Sequence, residues 1–311
     1  GFGALQYPDV LGQIYNSVAE NGDYDEKHPP FFLIHSDGDN FGGGADSYYY
    51  NNTEQLVQWL QDDPRFELMT ANDYLDQFPP DPKKAIHVEP GSWAGADNGD
   101  PQFKKWFSRY DQPYSPDLNS WAVLTALQNI VHTAEDSGLS ADLVDQATRL
   151  MLTAETSCYW YWTGQDEWDK QVTNAANSAC SILSSHIDGL KNSDKTPPTI
   201  FAPWVYPENP GGKEWGNNCL NDASHESQLS TFVYDICGLK SVQVVIISKE
   251  GETTYDMVDN DLYPTQTSPN RTANYFTFDL PVSAGDIRYY IIAEDKNGNI
   301  SKSALERIYL A

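Results

Sequence analysis

The pattern of the chain shifts from helical to strand-like across the polar, proline-ended stretch Asn192 to Pro198, and this shift limits the fold more than any other feature. Before it, three segments repeat apolar residues at helical spacing. Leu118, Trp121, Ala122, Leu127, Ile130, Val131 and Ala134 form the first, with Asp117 as its expected N-cap and Gly138 past its end. Ser140 is placed to cap a second, which carries Leu143, Val144, Ala147, Leu150, Met151 and Ala154. The third runs from Trp168 through Val172, Ala176, Ala179 and Leu183 to Leu190. Packing their stripes together predicts an antiparallel helical bundle over 89–195. After the change, β-branched and aromatic runs cover Leu229 to Ile236, Val242 to Lys249, Tyr275 to Leu280 and Ile287 to Ala293. Turn residues separate them, which predicts an immunoglobulin-like β-sandwich over 196–311. Asp295-Lys296-Asn297-Gly298-Asn299 starts with the spacing of a calcium loop. No acidic residue closes it as a twelve-residue loop requires, so it reads as a hairpin turn.

Residues 1–88 alternate helical and strand signals, with an amphipathic run from Leu5 to Ala19 and the apolar run Phe31-Phe32-Leu33-Ile34. A short apolar run of this kind predicts a buried, parallel strand. A further helix over Gln55 to Asp62, a strand over Phe66 to Thr70 and a short helix over Asn72 to Phe78 complete the pattern. Two or three strands are too few to close a sheet, so the segment is expected to be the end of an incomplete (β/α) barrel. The fold class expected is therefore α/β plus all-β: a barrel end, a helical bundle, then a sandwich.

Chemistry concentrates after the first strand signal, in His35-Ser36-Asp37-Gly38-Asp39-Asn40-Phe41-Gly42. Carboxylates at the C-terminal end of such a strand stand where α/β folds place reactive groups. They suit acid/base work on a bulky neutral substrate. The same segment also fits an acidic turn capping the next helix. The chain has 19 Lys and Arg against 45 Asp and Glu, a net charge of −26, which repels nucleic acid and anionic membranes. Nine Trp and nineteen Tyr leave aromatic faces beyond those needed for a core, and sugar rings stack on such faces. No run of apolar residues is long enough for a membrane span. His87, His132, His186 and His225 show no metal-ligand spacing, and no metal or cofactor motif is present.

Cys158, Cys180, Cys219 and Cys237 show no Cys-x-x-Cys spacing. Four cysteines permit three pairings, and the sequence-local one, Cys158 with Cys180 and Cys219 with Cys237, is the expected one. With glycosylation sequons at Asn51, Asn270 and Asn299, this points to an exported protein, extracellular or periplasmic. No signal peptide is visible at Gly1-Phe2-Gly3.

Three segments resemble family 57 glycoside hydrolases, a family that acts on α-glucans. They are Asp37-Gly38-Asp39-Asn40-Phe41-Gly42, then Glu89-Pro90-Gly91-Ser92-Trp93 followed by Trp106 and Asn119-Ser120-Trp121, then the aromatic segment from Ala154 to Gly164. Each is weak singly; their order and spacing carry the resemblance, which covers about residues 31–190. It implies that Asp37 is the catalytic acid/base. It makes Trp93, Trp160 and Trp162 substrate-side or core aromatics of the helical region, and Asp39 a residue that orients substrate or tunes Asp37. His35 is read from its place at the strand end, as a contact to sugar hydroxyls or as a histidine satisfied by backbone. Asp39 stands where the family has Glu. The family's earlier motifs, including the strand bearing the nucleophilic Glu, have no counterpart here. Glu89 follows the acid/base strand instead of preceding it, so the nucleophile is expected on an N-terminal fragment or companion chain. The expected function is hydrolysis or transfer on α-glucan polysaccharides or oligosaccharides with retention. The rival reading is a non-catalytic carbohydrate-binding or cell-surface protein using Tyr48-Tyr49-Tyr50, Trp93 and the Trp160 cluster.

Overall fold

The helical stripes and the β-branched runs fold as their periods dictate, and the computed structural model places them in two compact units, Gly1–His87 and Val88–Ala311. The structure describes residues 7–22, 24–25, 27, 29–33, 48–84, 116–161, 166–206, 222–223, 227–262, 267–280 and 285–310.

In the first unit, α1 (Tyr7–Glu20) and α2 (Tyr48–Asp62) bury Leu11, Leu56 and Leu60 together, with Trp59 and Phe66 packed against them. The short helix α3 (Ala71–Gln77) is started by a capping box. Thr70 Oγ1 accepts from the Asp73 N–H at 3.1 Å, and the Asp73 carboxylate accepts from the Thr70 N–H at 3.3 Å. Among the described residues of this unit no strand forms. Phe31 and Leu33, expected in a buried strand, are 66% and 76% exposed. The run lies beside α3 instead: Tyr74 donates its hydroxyl to the Pro29 carbonyl at 2.8 Å, and its ring sits 5.0 Å from that of Phe31. An apolar run becomes a buried strand only when neighbouring strands satisfy its backbone, and the described residues supply none.

In the second unit, α4 (Pro116–Asp136), α5 (Ala141–Ala154), the single turn α6 (Cys158–Tyr161) and α7 (Asp166–Leu190) form the bundle. Its core interleaves large and small residues: Leu127, Ile130 and Val131 from α4, Ala147 and Met151 from α5, Val172, Ala179 and Leu183 from α7. Gly138 ends α4 at φ +69°, with Leu139 N–H bonded to the Ala134 carbonyl, and Ser140 caps α5 through the Leu143 N–H. The expected cap at Asp117 shifts, because α4 already starts at Pro116, a residue suited to a first helical position.

Among the described residues eleven strands follow: β1 (Thr199–Ile200), β2 (Trp204–Tyr206), β3 (Asp222–Ala223), β4 (Gln228–Tyr234), β5 (Leu239–Ser248), β6 (Gly251–Asp256), β7 (Val258–Asn260), β8 (Asn274–Asp279), β9 (Gly285–Asp295), β10 (Ile300–Lys302) and β11 (Glu306–Leu310). One sheet has the order β1-β4-β8-β7 with β2 also on β4; the other has β3-β11-β9-β5-β6 with β10 on β9. All described pairings are antiparallel except β3 with β11. Leu229, Val233, Phe276, Val244, Ile291 and Ile308 fill the space between the sheets. The class read from the sequence stands: helices without a closed sheet, a bundle, then open antiparallel sheets stacked as a sandwich. The Asn297-Gly298 turn joins β9 to β10, as its residues predict.

Bundle and sandwich share a core. The Ala273 N–H bonds to the Ala122 carbonyl at 3.0 Å, and Ile236 and Tyr234 pack into the bundle cluster. Phe232 is fully buried at this seam, with its ring 5.3 Å from Trp204 and 5.4 Å from Tyr275. Phe232→Ala should destabilise the second unit by about 3–5 kcal/mol. Far-UV circular dichroism and tryptophan fluorescence should move to lower denaturant together. A shift of one signal without the other would show that bundle and sandwich unfold separately.

Candidate functional site

Of the residues expected to carry the chemistry, His35, Asp37, Asp39, Trp93 and Trp162 lie outside the described residues. Trp160 is described, and it is a correction: it is 2% exposed and stacks on Trp121 with ring centroids 3.7 Å apart and planes at 17°. The cause is local. Thr156 and Ser157 carbonyls accept the first N–H groups of α6, which winds one tight turn between α5 and α7 and directs Trp160 inward. Its face is spent on the core.

The expected disulfides are a second correction, because Cys180 and Cys237 are both held as thiols. Cys158 starts α6, whose Tyr159 meets the N-terminal end of α7 at Trp168, ring centroids 5.8 Å apart. Cys180 lies twelve residues further along α7, about 18 Å at helical rise, whereas a disulfide needs Cα atoms within about 7 Å. Cys180 lies instead beside Asp188, Asn270 and Arg271. Burial pushes its thiol up from the ordinary value, against the opposing pull of Arg271. Burial, then the hydrogen bond to Asp235, pushes Cys237 up to about 12. Cys219, its expected partner, is outside the described residues.

Side chains that the sequence did not single out as a group converge at the bundle–sandwich seam. Asp194 sits in the linker after α7, Asp235 follows β4, and Asp295 ends β9; they are 4%, 5% and 0% exposed. Asp235-Ile236-Cys237-Gly238 and Asp295-Lys296-Asn297-Gly298 are conformational twins. In each, the aspartate Oδ1 accepts the N–H two residues on at 2.8 Å, and the glycine takes φ near +90°. The loops are joined by the Lys296 N–H donating to the Gly238 carbonyl at 2.9 Å. A Cβ at Gly238 would meet the Lys296 ammonium at 3.0 Å, a flexible side-chain end that can move aside, so it is the φ of +90° that favours glycine here. The linker is bonded to the second loop: the side-chain amides of Asn297 and Asn299 both donate to the Asp194 carbonyl at 3.2 Å.

The oxygens of this cluster are unequally satisfied. Asp295 accepts from Asn297 N, Asn299 N and Asn299 Nδ2. Asp194 Oδ1 accepts from Thr196 N at 3.0 Å and Asp235 Oδ1 from Cys237 N, but Oδ2 of each is buried without a partner. Burial pushes the Asp194 carboxyl up, with the Thr196 N–H opposing and the Asp295 charge adding. Burial likewise raises Asp235, with the Cys237 bonds opposing and the charges of Asp194 and Asp295 adding. The signal that could have found these residues is the repeated Asp-x-x-Gly after two separate strands. Each copy alone reads as a turn.

No family model and no curated protein matches the chain. Among solved structures, a cycloalternan-degrading enzyme from Trueperella pyogenes in complex with a covalent intermediate is similar over 26% of this chain, at 13% identity and TM-score 0.22. A mutant SrpA adhesin from Streptococcus sanguinis is similar over 38% of this chain, at 14% identity and TM-score 0.23. The chain spans 13% of the first and 59% of the second. Similarities this slight assign no role.

The thiol state is directly measurable. Peptide mapping without reduction should recover Cys180 and Cys237 unbridged. Iodoacetamide at pH 8 should label both slowly in the folded protein and rapidly after unfolding, since only the thiolate reacts and burial disfavours it. Rapid labelling of the folded chain would show that the thiols are not held as described.

Proposed function

We propose that this chain supplies the acid/base strand end and the helical region of an exported, retaining α-glucan hydrolase or transferase resembling family 57. The observation that carries the reading is the order and spacing of three segments: the Asp37 motif, the Gly91-Ser92-Trp93 segment and the aromatic segment from Ala154 to Gly164. The architecture supports it at one point. The third segment falls between two bundle helices, with Ala154 ending α5 and Asp166 starting α7. Trp160 then serves the scaffold, and sugar contact in this reading rests on His35, Asp39, Trp93 and Trp162. Export now rests on the three sequons, because neither expected bridge is formed.

In the mechanism, Asp37 donates a proton to the glycosidic oxygen as the bond breaks, since an unprotonated sugar alkoxide leaves poorly. A partner carboxylate on the opposite face, about 5–5.5 Å away in retaining enzymes, takes the anomeric carbon. The reading assigns that carboxylate to a companion polypeptide or fragment. Asp37 then removes a proton from the water that releases the sugar.

Asp37→Asn in the complete enzyme should lower starch hydrolysis by about 10²–10⁴-fold, the usual contribution of a positioned acid. Aryl α-glucosides with activated leaving groups should lose far less in the glycosylation step, because they need little protonation. Starch hydrolysis within a few-fold of the parent would remove Asp37 from the acid role. A parent protein that binds glucan without cleaving it would decide for the non-catalytic reading.

A further inference from the structure

Three buried carboxylates in one cluster, two with an orphaned oxygen, are strongly unfavourable unless a cation balances them. Among the described residues, no Lys or Arg forms an ion pair with Asp194, Asp235 or Asp295. Lys296 passes over Gly238, and Lys240 is engaged by Glu294 at 2.8 Å. One ligand atom from each aspartate and the Cys237 sulfur all lie within 4.8 Å of one another. Oxygens on opposite sides of a calcium ion, each about 2.3–2.6 Å from it, are about 4.6–5.2 Å apart, so a spread of no more than 4.8 Å is compatible with that ion. Magnesium demands near-ideal octahedral geometry and gives up its waters reluctantly, so a site of mostly buried protein ligands suits calcium better. A set dominated by carboxylates suits a hard cation over zinc or copper. A cleft of about 580 Å³, lined by Asp235, Gly238, Lys240 and Lys296, gives solvent a route to the cluster.

We propose that Asp194, Asp235 and Asp295 bind one calcium ion, which ties the linker after α7 to the loops that follow β4 and β9. The unpartnered Oδ2 atoms of Asp194 and Asp235 are its first ligands, with Asp295, backbone carbonyls and water completing the oxygen shell. The ion thereby fastens the sandwich to the bundle at the point where the chain passes from one to the other. The proposal is independent of the glucan reading, since it uses only residues 194–299.

The test is titration of calcium chloride into the full chain, stripped with EDTA, by calorimetry and thermal melting. Potassium chloride at about 0.15 M screens diffuse binding to the acidic surface. One ion per chain should bind, and the melting temperature should rise and fall back on adding EDTA. Asp235→Asn keeps an oxygen to accept from the Cys237 N–H and removes a buried charge. It should bind calcium about tenfold or more weakly, yet melt at or above the parent in EDTA. Asp142→Asn, on the exposed face of α5, should behave as the parent in both conditions. Should Asp235→Asn fail to fold, Asp194→Asn carries the same comparison. Absence of an EDTA-reversible shift in the parent would overturn the proposal. So would an unchanged calcium response in the variant, or stabilisation of the variant by the same amount with and without calcium. The last result would mean that the carboxyls are hydrogen-bonded neutral groups.

Discussion

The second unit depends on one buried amide. Asn129, fully buried in the middle of α4, donates Nδ2–H to the Pro197 carbonyl at 3.3 Å and accepts the Ile236 N–H on Oδ1 at 3.2 Å. One side chain therefore grips the linker leaving the bundle and the corner between β4 and β5. These two backbone groups have no ladder to join, and each would cost about 1–3 kcal/mol if buried unbonded. An apolar residue of similar volume could fill the space, but it would not fix which backbone atoms meet α4. Thr196 repeats the device about two turns further along α4, donating its hydroxyl to Asp136 at 2.8 Å. Apolar contact at Phe232 and Ile236 supplies adhesion at the seam, and the polar pairs set its register.

Given that register, the acidic cluster follows from topology. With Ile236 pinned to α4, Asp235 is held one residue before the pin. Asp194 is held three residues before Pro197, and the β4–β5 and β9–β10 turns are brought side by side. The Lys296-to-Gly238 bond then sets the two loops in register with each other. Burial at this seam raises the carboxyl pKa values of Asp194 and Asp235, and the neighbouring carboxylates add to the shift. A scaffold that forces like charges together either holds protons there or holds a cation. The orphaned Oδ2 atoms favour the cation, because a protonated carboxyl would itself need a buried acceptor.

How much of this was legible in the sequence divides along the range of the interactions. The helices α4, α5 and α7 were legible because 3.6-residue spacing, the Ser140 cap and the Gly138 stop are all local. Strands β4, β5, β8 and β9 were legible as β-branched runs between turn residues. The orientation of Trp160 was not, since an aromatic-rich turn shows its residues without showing which face inward. Nor was the burial of Cys180, because a disulfide guess made from sequence separation ignores the length of a straight helix. The aspartates were missed because Asp194, Asp235 and Asp295 are separated by an entire sheet, and their convergence depends on a pin at Asn129 that no window contains.

Phe31 to Leu33 show the same limit from the other side, and they explain why the two units differ in character. The first unit buries Leu11, Leu56 and Leu60 but leaves Phe31, Phe32, Leu33, Leu68 and Leu75 exposed. In the second unit most large apolar side chains lie inside the bundle and between the sheets, while Leu152, Val258, Ile300 and Leu305 are exposed at its surface. An apolar run followed by a motif with paired carboxylates is what a barrel strand looks like, and such a run is stable only with strands on both sides. The described residues place no strand beside Phe31 to Leu33, and these side chains are exposed. In the glucan-hydrolase reading, the strands that would cover them belong to the same barrel that brings the nucleophilic carboxylate. Completing the fold and completing the active site would then be one event, whereas the bundle and sandwich already close on themselves through Asn129 and Phe232.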